Sequence, residues 1–140
     1  MGKTLIFSDV DYSRNAIPNT DILDTISYDN ATLKAMVSED AIGKYVATTG
    51  KVTSGDSTNS YVVIDIQYYK RIVISGYTGT AAGAFLSSAS PSQSTFISAV
   101  TRSSAGSFDN RSIDIPEGAT HFAFNMRTNY SNYALTKYAE

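Results

Sequence analysis

The stretch that decides the fold reads Arg111-Ser112-Ile113-Asp114-Ile115-Pro116-Glu117-Gly118-Ala119-Thr120-His121-Phe122-Ala123-Phe124-Asn125-Met126-Arg127. Its second half alternates strictly. Phe122, Phe124 and Met126 fall on one face, and His121, Ala123, Asn125 and Arg127 fall on the other. A period of two is the mark of a β-strand, because successive side chains leave a pleated backbone on opposite faces. Arg111–Ile115 reads as a shorter strand, and Pro116-Glu117-Gly118 is a turn signal between the two.

The same pattern recurs on the N-terminal side. Tyr61–Ile66 is a strand, and Lys70–Tyr77 is a second, with Ile72 and Ile74 sharing a face. Ala82–Ser87 is a third, in which Gly83 suggests a bulge or a close backbone approach. Phe96–Val100 follows a loop around Pro91, and Lys44–Thr49 precedes the polar stretch Gly50–Ser60. Arg102–Asn110 reads as another loop. Asn30–Val37 is the best helical candidate, with Leu33, Met36 and Val37 at helical spacing, Asn30 as a cap and Gly43 as a stop. An extended reading of that short segment stays open. Leu5-Ile6-Phe7 has the makings of a short strand within an otherwise mixed N-terminal segment.

Composition agrees with strands. The chain holds 12 Ile, 8 Val, 15 Thr, 10 Tyr and 6 Phe against 5 Leu and 3 Glu. Stiff β-branched and aromatic side chains suit a half-buried pleated surface. Short strands every ten to twelve residues, with turn signals between them, predict an antiparallel β-sandwich or jelly roll. The expected division is an N-terminal extension or oligomerisation segment over residues 1–44 and a sandwich domain over residues 45–140.

Several chemistries are excluded outright. With no Cys there is no thiol nucleophile, iron–sulfur cluster, thiolate zinc site or disulfide. A single His rules out a multi-histidine metal site and leaves a Ser-His-Asp triad one possible base, His121. No nucleophile motif accompanies it, so His121 reads as a structural or surface residue. A net charge of −2 argues against a nucleic-acid partner, and no apolar run approaches the ~20 residues that cross a bilayer. The first residues lack the apolar core of a signal peptide.

From Tyr61 to Asn125 the order of strands resembles a known family. Ile72-Val73-Ile74-Ser75-Gly76, the Ala84-Phe85-Leu86 strand and the Ile115-Pro116-Glu117-Gly118-Ala119 turn before the last inward-facing strand carry the likeness. They are similar to carbohydrate-binding-module-like jelly-roll domains of phage and prophage tail fibre or baseplate proteins and related bacterial surface proteins. The resemblance covers residues 45–128. It implies a non-enzymatic module of a virion tail or bacterial surface, a homotrimer, and recognition of a surface glycan or a partner tail or surface protein. A purely structural, trimerising fibre domain is the first alternative, and a glycoside hydrolase the second.

Candidate site residues follow from chemistry. Tyr offers a flat apolar face with a polar tip, suited to sugars and to protein interfaces. Tyr68, Tyr69, Tyr77, Tyr130 and Tyr133 lie near strand ends or loops, and Arg71, Asn125 and Arg127 supply planar hydrogen-bonding groups. The alternative use of the same side chains is cross-strand packing. Trp, a common stacking platform for sugars, is absent. A hydrolase needs two facing acids, and Asp65, Asp114 and Glu117 are the candidates, with both Asp expected to point away from the core. Asp9, Asp11, Asp21 and Asp24 read as solvated turn carboxylates rather than a calcium site. Gly76-Tyr77-Thr78-Gly79-Thr80 lacks the Lys and the helix of a phosphate loop. Neither a metal nor a cofactor is expected.

Overall fold

The computed structural model describes residues 23–140, arranged as ten strands and one short helix. In chain order these are β1 (Ile26–Tyr28), α1 (Asn30–Ala35), a single 3-10 turn (Glu39–Ala41), β2 (Lys44–Val46), β3 (Val52–Ser54), β4 (Asn59–Asp65) and β5 (Arg71–Thr78). There follow β6 (Ala81–Leu86), β7 (Phe96–Thr101), β8 (Gly106–Asp114), β9 (His121–Arg127) and β10 (Ala134–Tyr138). The expected strand at Leu5–Phe7 and the carboxylates Asp9, Asp11 and Asp21 lie outside the described residues.

Two four-stranded antiparallel sheets form the sandwich. Sheet one has the order β1-β10-β5-β8 and sheet two the order β4-β9-β6-β7. From β4 onward the chain changes sheet at every connection except β6 to β7. That interleaving is the double Greek key of a jelly roll.

The alternation in β9 explains the core. Phe122, Phe124 and Met126 face inward beside Val62, Ile64 and Phe85, and meet Ile72, Ile74 and Leu135 from sheet one. The aromatic rings are tilted against one another, with centroids 4.9 Å apart for Phe85–Phe122 and 6.0 Å for Phe122–Phe124. Gly83 sits at a register shift in the β6–β7 ladder, and a Cβ there would overlap the Phe122 ring and the Ala123 carbonyl. Both expectations for Gly83 hold.

The opposite face of β9 is covered too. The β2–β3 hairpin lies over it, packing Val46 against Ala84, Leu86 and Ala123, with Val52, Tyr61, Val63 and Phe96 around them. Every residue from Phe122 to Met126 is therefore buried. Alternation predicts two faces; it does not predict a third layer.

The expected boundary at residue 45 falls inside the sandwich. β1 is an edge strand of sheet one paired with β10, and Leu33 of α1 is fully buried in the main core. The helix forms, but its cap is Asp29, whose carboxylate accepts a 2.8 Å hydrogen bond from the Thr32 N–H, and Asn30 is its first residue. It stops at Ala35, well before Gly43. The expected loop at Arg102–Asn110 is strand from Gly106 onward. β8 is an edge strand with most side chains in solvent, so its polar sequence carries no apolar alternation.

Candidate binding site

The eight candidate residues separate into two groups at opposite ends of the sandwich. β5 runs from Arg71 at one end to Tyr77 near the other, and β9 delivers Asn125 and Arg127 to the Tyr77 end. Tyr68, Tyr69 and Arg71 thus stand apart from Tyr77, Asn125, Arg127, Tyr130 and Tyr133.

The first end is internally paired. Tyr68 takes a left-handed backbone (φ 73°) in the β4–β5 turn and is exposed. The Tyr69 hydroxyl donates to the Asp24 carbonyl at 2.7 Å. Arg71 lies 4.1 Å over the Tyr138 ring. Beside them Lys137, only 7% exposed, donates to the Asp65 carbonyl at 2.6 Å and sits 4.8 Å over Tyr69 and 5.5 Å over Tyr28. A cation over an aromatic face is attracted by the ring quadrupole. Cations and rings here satisfy one another.

At the second end two of the candidates are structural. Asn125 is buried and clamps the hairpin to the sandwich. Its Oδ1 accepts from the Val46 N–H, and its Nδ2 donates to the Val46 and Ala81 carbonyls, each at 2.9 Å. Both amide donors are used. Tyr133 is also buried, with its ring edge-on to Phe124. Its hydroxyl donates to the Tyr77 carbonyl and accepts from the Arg127 N–H at 2.7 Å. Burial pushes that phenol up to about 12. Gly76 makes room for the ring, since a Cβ there would overlap it. These two corrections have one physical basis: a buried polar group must be paired, and the pairing uses the atoms a ligand would need.

The remaining three are half-buried, with Tyr130 packed against the main core. Tyr77 and Tyr130 stack nearly parallel, with centroids 3.9 Å apart at 5°. The Tyr77 hydroxyl alongside raises the Tyr130 phenol. Arg127 lines a cleft of about 170 Å³ with Tyr45, Asn59, Thr78, Thr80 and Met126 among others; neither Tyr77 nor Tyr130 lines it. The Arg127 Nη1 donates to the Thr58 hydroxyl at 3.3 Å and stands 3.6 Å from the Asp56 carboxylate. Hydrogen bonds from Thr58 hold the Asp56 carboxyl below the ordinary carboxylate range, so it stays ionised. Thr78 is 2% exposed, and its hydroxyl has no partner among the described residues. Tyr45, Asn59, Thr78 and Thr80 carry no recognisable sequence signal; only the β5–β6 turn, the antiparallel β4–β9 pairing and the β2–β3 hairpin held by Asn125 bring them beside Arg127.

Other candidates are dispersed. Asp65 lies in sheet two and accepts from the Gln67 N–H, whereas Asp114 lies in sheet one; both are exposed, as is Glu117 in the β8–β9 loop. None of the three lines the cleft. His121 is half-buried, with Nδ1 at 2.8 Å from the Thr120 hydroxyl. Among the described residues no group of three or more His, Asp or Glu is placed to hold a metal ion, and no helix is long and apolar enough to cross a membrane.

A scan against protein-family models, a search of curated proteins and a search of solved structures each find no match to this chain.

Proposed function

We propose that this domain is a non-enzymatic recognition module of a phage tail or bacterial surface assembly, and that it binds a surface glycan at the Arg127 end of the sandwich. The observation that carries this reading is the cleft around Arg127, where the Tyr45 ring stands with the hydroxyl and amide groups of Thr78, Thr80 and Asn59. Aromatic faces cover the apolar patches of a sugar ring, and fixed planar donors orient its hydroxyls. Binding by complementarity alone fits a cleft without a pair of acids across it, whereas the hydrolytic alternative asks for one. A trimer of such domains raises the effective concentration of weak sites. The test is a glycan array probed with the wild type and with Tyr45→Ala. Retention on a defined set of glycans, lost in the variant, is expected; an array with no signal for the wild type overturns the reading.

A second reading, a trimerising fibre domain without ligand, draws on a different surface. A groove of about 430 Å³ on the outside of sheet two is lined by Met36, Val52, Tyr61, Val63 and Pro91, with Met36 42% exposed. Ser38, Asp40 and Ser90 line it as well, and a mixed surface of this kind suits a subunit contact. Sedimentation equilibrium beside the array separates the two: a stable trimer that Met36→Glu dissociates, with no glycan retained, favours the second.

A further inference from the structure

We infer that the cleft beside Arg127 selects an acidic sugar, seating the carboxylate of a uronic or sialic acid residue on the guanidinium. This rests on the glycan reading and adds the chemical class of ligand. Arg127 is the one charged side chain among the residues lining the cleft; no carboxylate lines it. Its guanidinium is held from one side only. Thr58 and Asp56 both meet Nη1, and the other guanidinium N–H groups have no partner among the described residues. That leaves a planar fork, already oriented, of the shape that takes a carboxylate through two parallel hydrogen bonds. Asp56 does not cancel it. Its carboxylate is largely exposed, Thr58 holds its Oδ1, and the Oδ2 that faces Arg127 lies 3.6 Å away, a solvated ion pair of a weak kind.

The rest of the cleft suits the body of a sugar. Asn59 uses its Oδ1 on the Asp56 N–H, and its Nδ2 has no partner among the described residues. Thr80 and the unpartnered Thr78 hydroxyl stand beside it. A volume of about 170 Å³ corresponds to on the order of ten waters, the size of one sugar ring. Gly79 lies against open space: a Cβ there meets nothing within 4 Å. A larger side chain at that position fills the cleft without disturbing the core.

Titration calorimetry on the full chain tests this with methyl glucuronide, methyl galacturonide and methyl sialoside, each against its methyl ester, and with the neutral methyl glucoside and galactoside. At least one acid is expected to bind about tenfold or more tightly than its ester, because a charge-assisted bidentate contact is lost on esterification. The preference weakens as salt is raised. Arg127→Gln abolishes the difference between acid and ester. Gly79→Leu abolishes binding with an unchanged unfolding midpoint, which separates a blocked cleft from a damaged fold. Acid and ester binding alike, or a preference that survives Arg127→Gln, overturns this inference and leaves the glycan reading standing. No binding of any acid, ester or neutral sugar at millimolar concentration overturns both.

Discussion

The two ends of this sandwich carry nearly the same side chains and use them differently. At one end Tyr28, Tyr69, Arg71, Lys137 and Tyr138 pair cation with ring and hydroxyl with carbonyl, so the group closes on itself. At the other, Tyr45, Asn59 and Arg127 line a cleft, and the Thr78 hydroxyl lacks a partner among the described residues. Residue type alone does not mark a binding site. What distinguishes the ends is whether the polar atoms are already satisfied within the protein.

The largest expected effect tests the boundary between the two uses. Asn125 borders the cleft but serves the fold, so Asn125→Leu leaves the Val46 N–H and the Val46 and Ala81 carbonyls unpaired. A cost of about 3–5 kcal/mol in denaturant unfolding is expected, at ~1–3 kcal/mol per orphaned buried group with partial relaxation. A loss under about 1 kcal/mol would place Asn125 with the open residues instead.

At the closed end Lys137→Met keeps the stem and removes the charge. Loss of the charged hydrogen bond to Asp65 and of two ring contacts predicts about 2–3 kcal/mol. Stability unchanged in the same unfolding experiment would mean that this end is not held together by its cation.

Tyr133→Phe keeps the ring and deletes the hydroxyl, for about 1–2 kcal/mol at neutral pH. It has a second signature. The folded-state phenol is raised to about 12 from an ordinary value of 10.0, chiefly by burial. The protonated form is thus favoured by folding, and its stability contribution is fully present below pH 10 and lost as pH rises through about 12. The wild type should lose stability over that window more steeply than Tyr133→Phe; parallel curves would contradict the buried phenol.

The smallest effect has the opposite sign. Thr78→Val removes a buried hydroxyl that has no partner among the described residues, so the free protein should gain up to about 1 kcal/mol while ligand affinity falls. A destabilised variant would show that the hydroxyl is paired after all.

Much of the sandwich was legible in the sequence because one physical rule, alternation about a buried face, governs β4, β5 and β9 alike. Where another rule took over, the pattern went silent. β8 is polar because it is an edge strand, and the β2–β3 hairpin is short and rich in Gly, Ser and Thr, so neither carries a period-two signal. The site was legible only as a set of residue types. Alternation assigns Tyr77, Asn125 and Arg127 to faces, but which of them meet is set by strand pairing between residues far apart in the chain. Asn125 shows the limit most clearly: its alternation is right, and the face it points to is covered by residues 79 positions earlier.

The central claim is that the Arg127 end, and not the Tyr69 end, receives the ligand. Backbone amide shifts followed by NMR during titration with methyl glucuronide, methyl galacturonide and methyl sialoside test it most directly. Perturbations confined to Tyr45, Asn59, Thr78–Ala81 and Asn125–Arg127, with Gln67–Arg71 and Lys137 unmoved, are predicted. Perturbations centred on Gln67–Arg71, or none anywhere at saturating sugar, would contradict it.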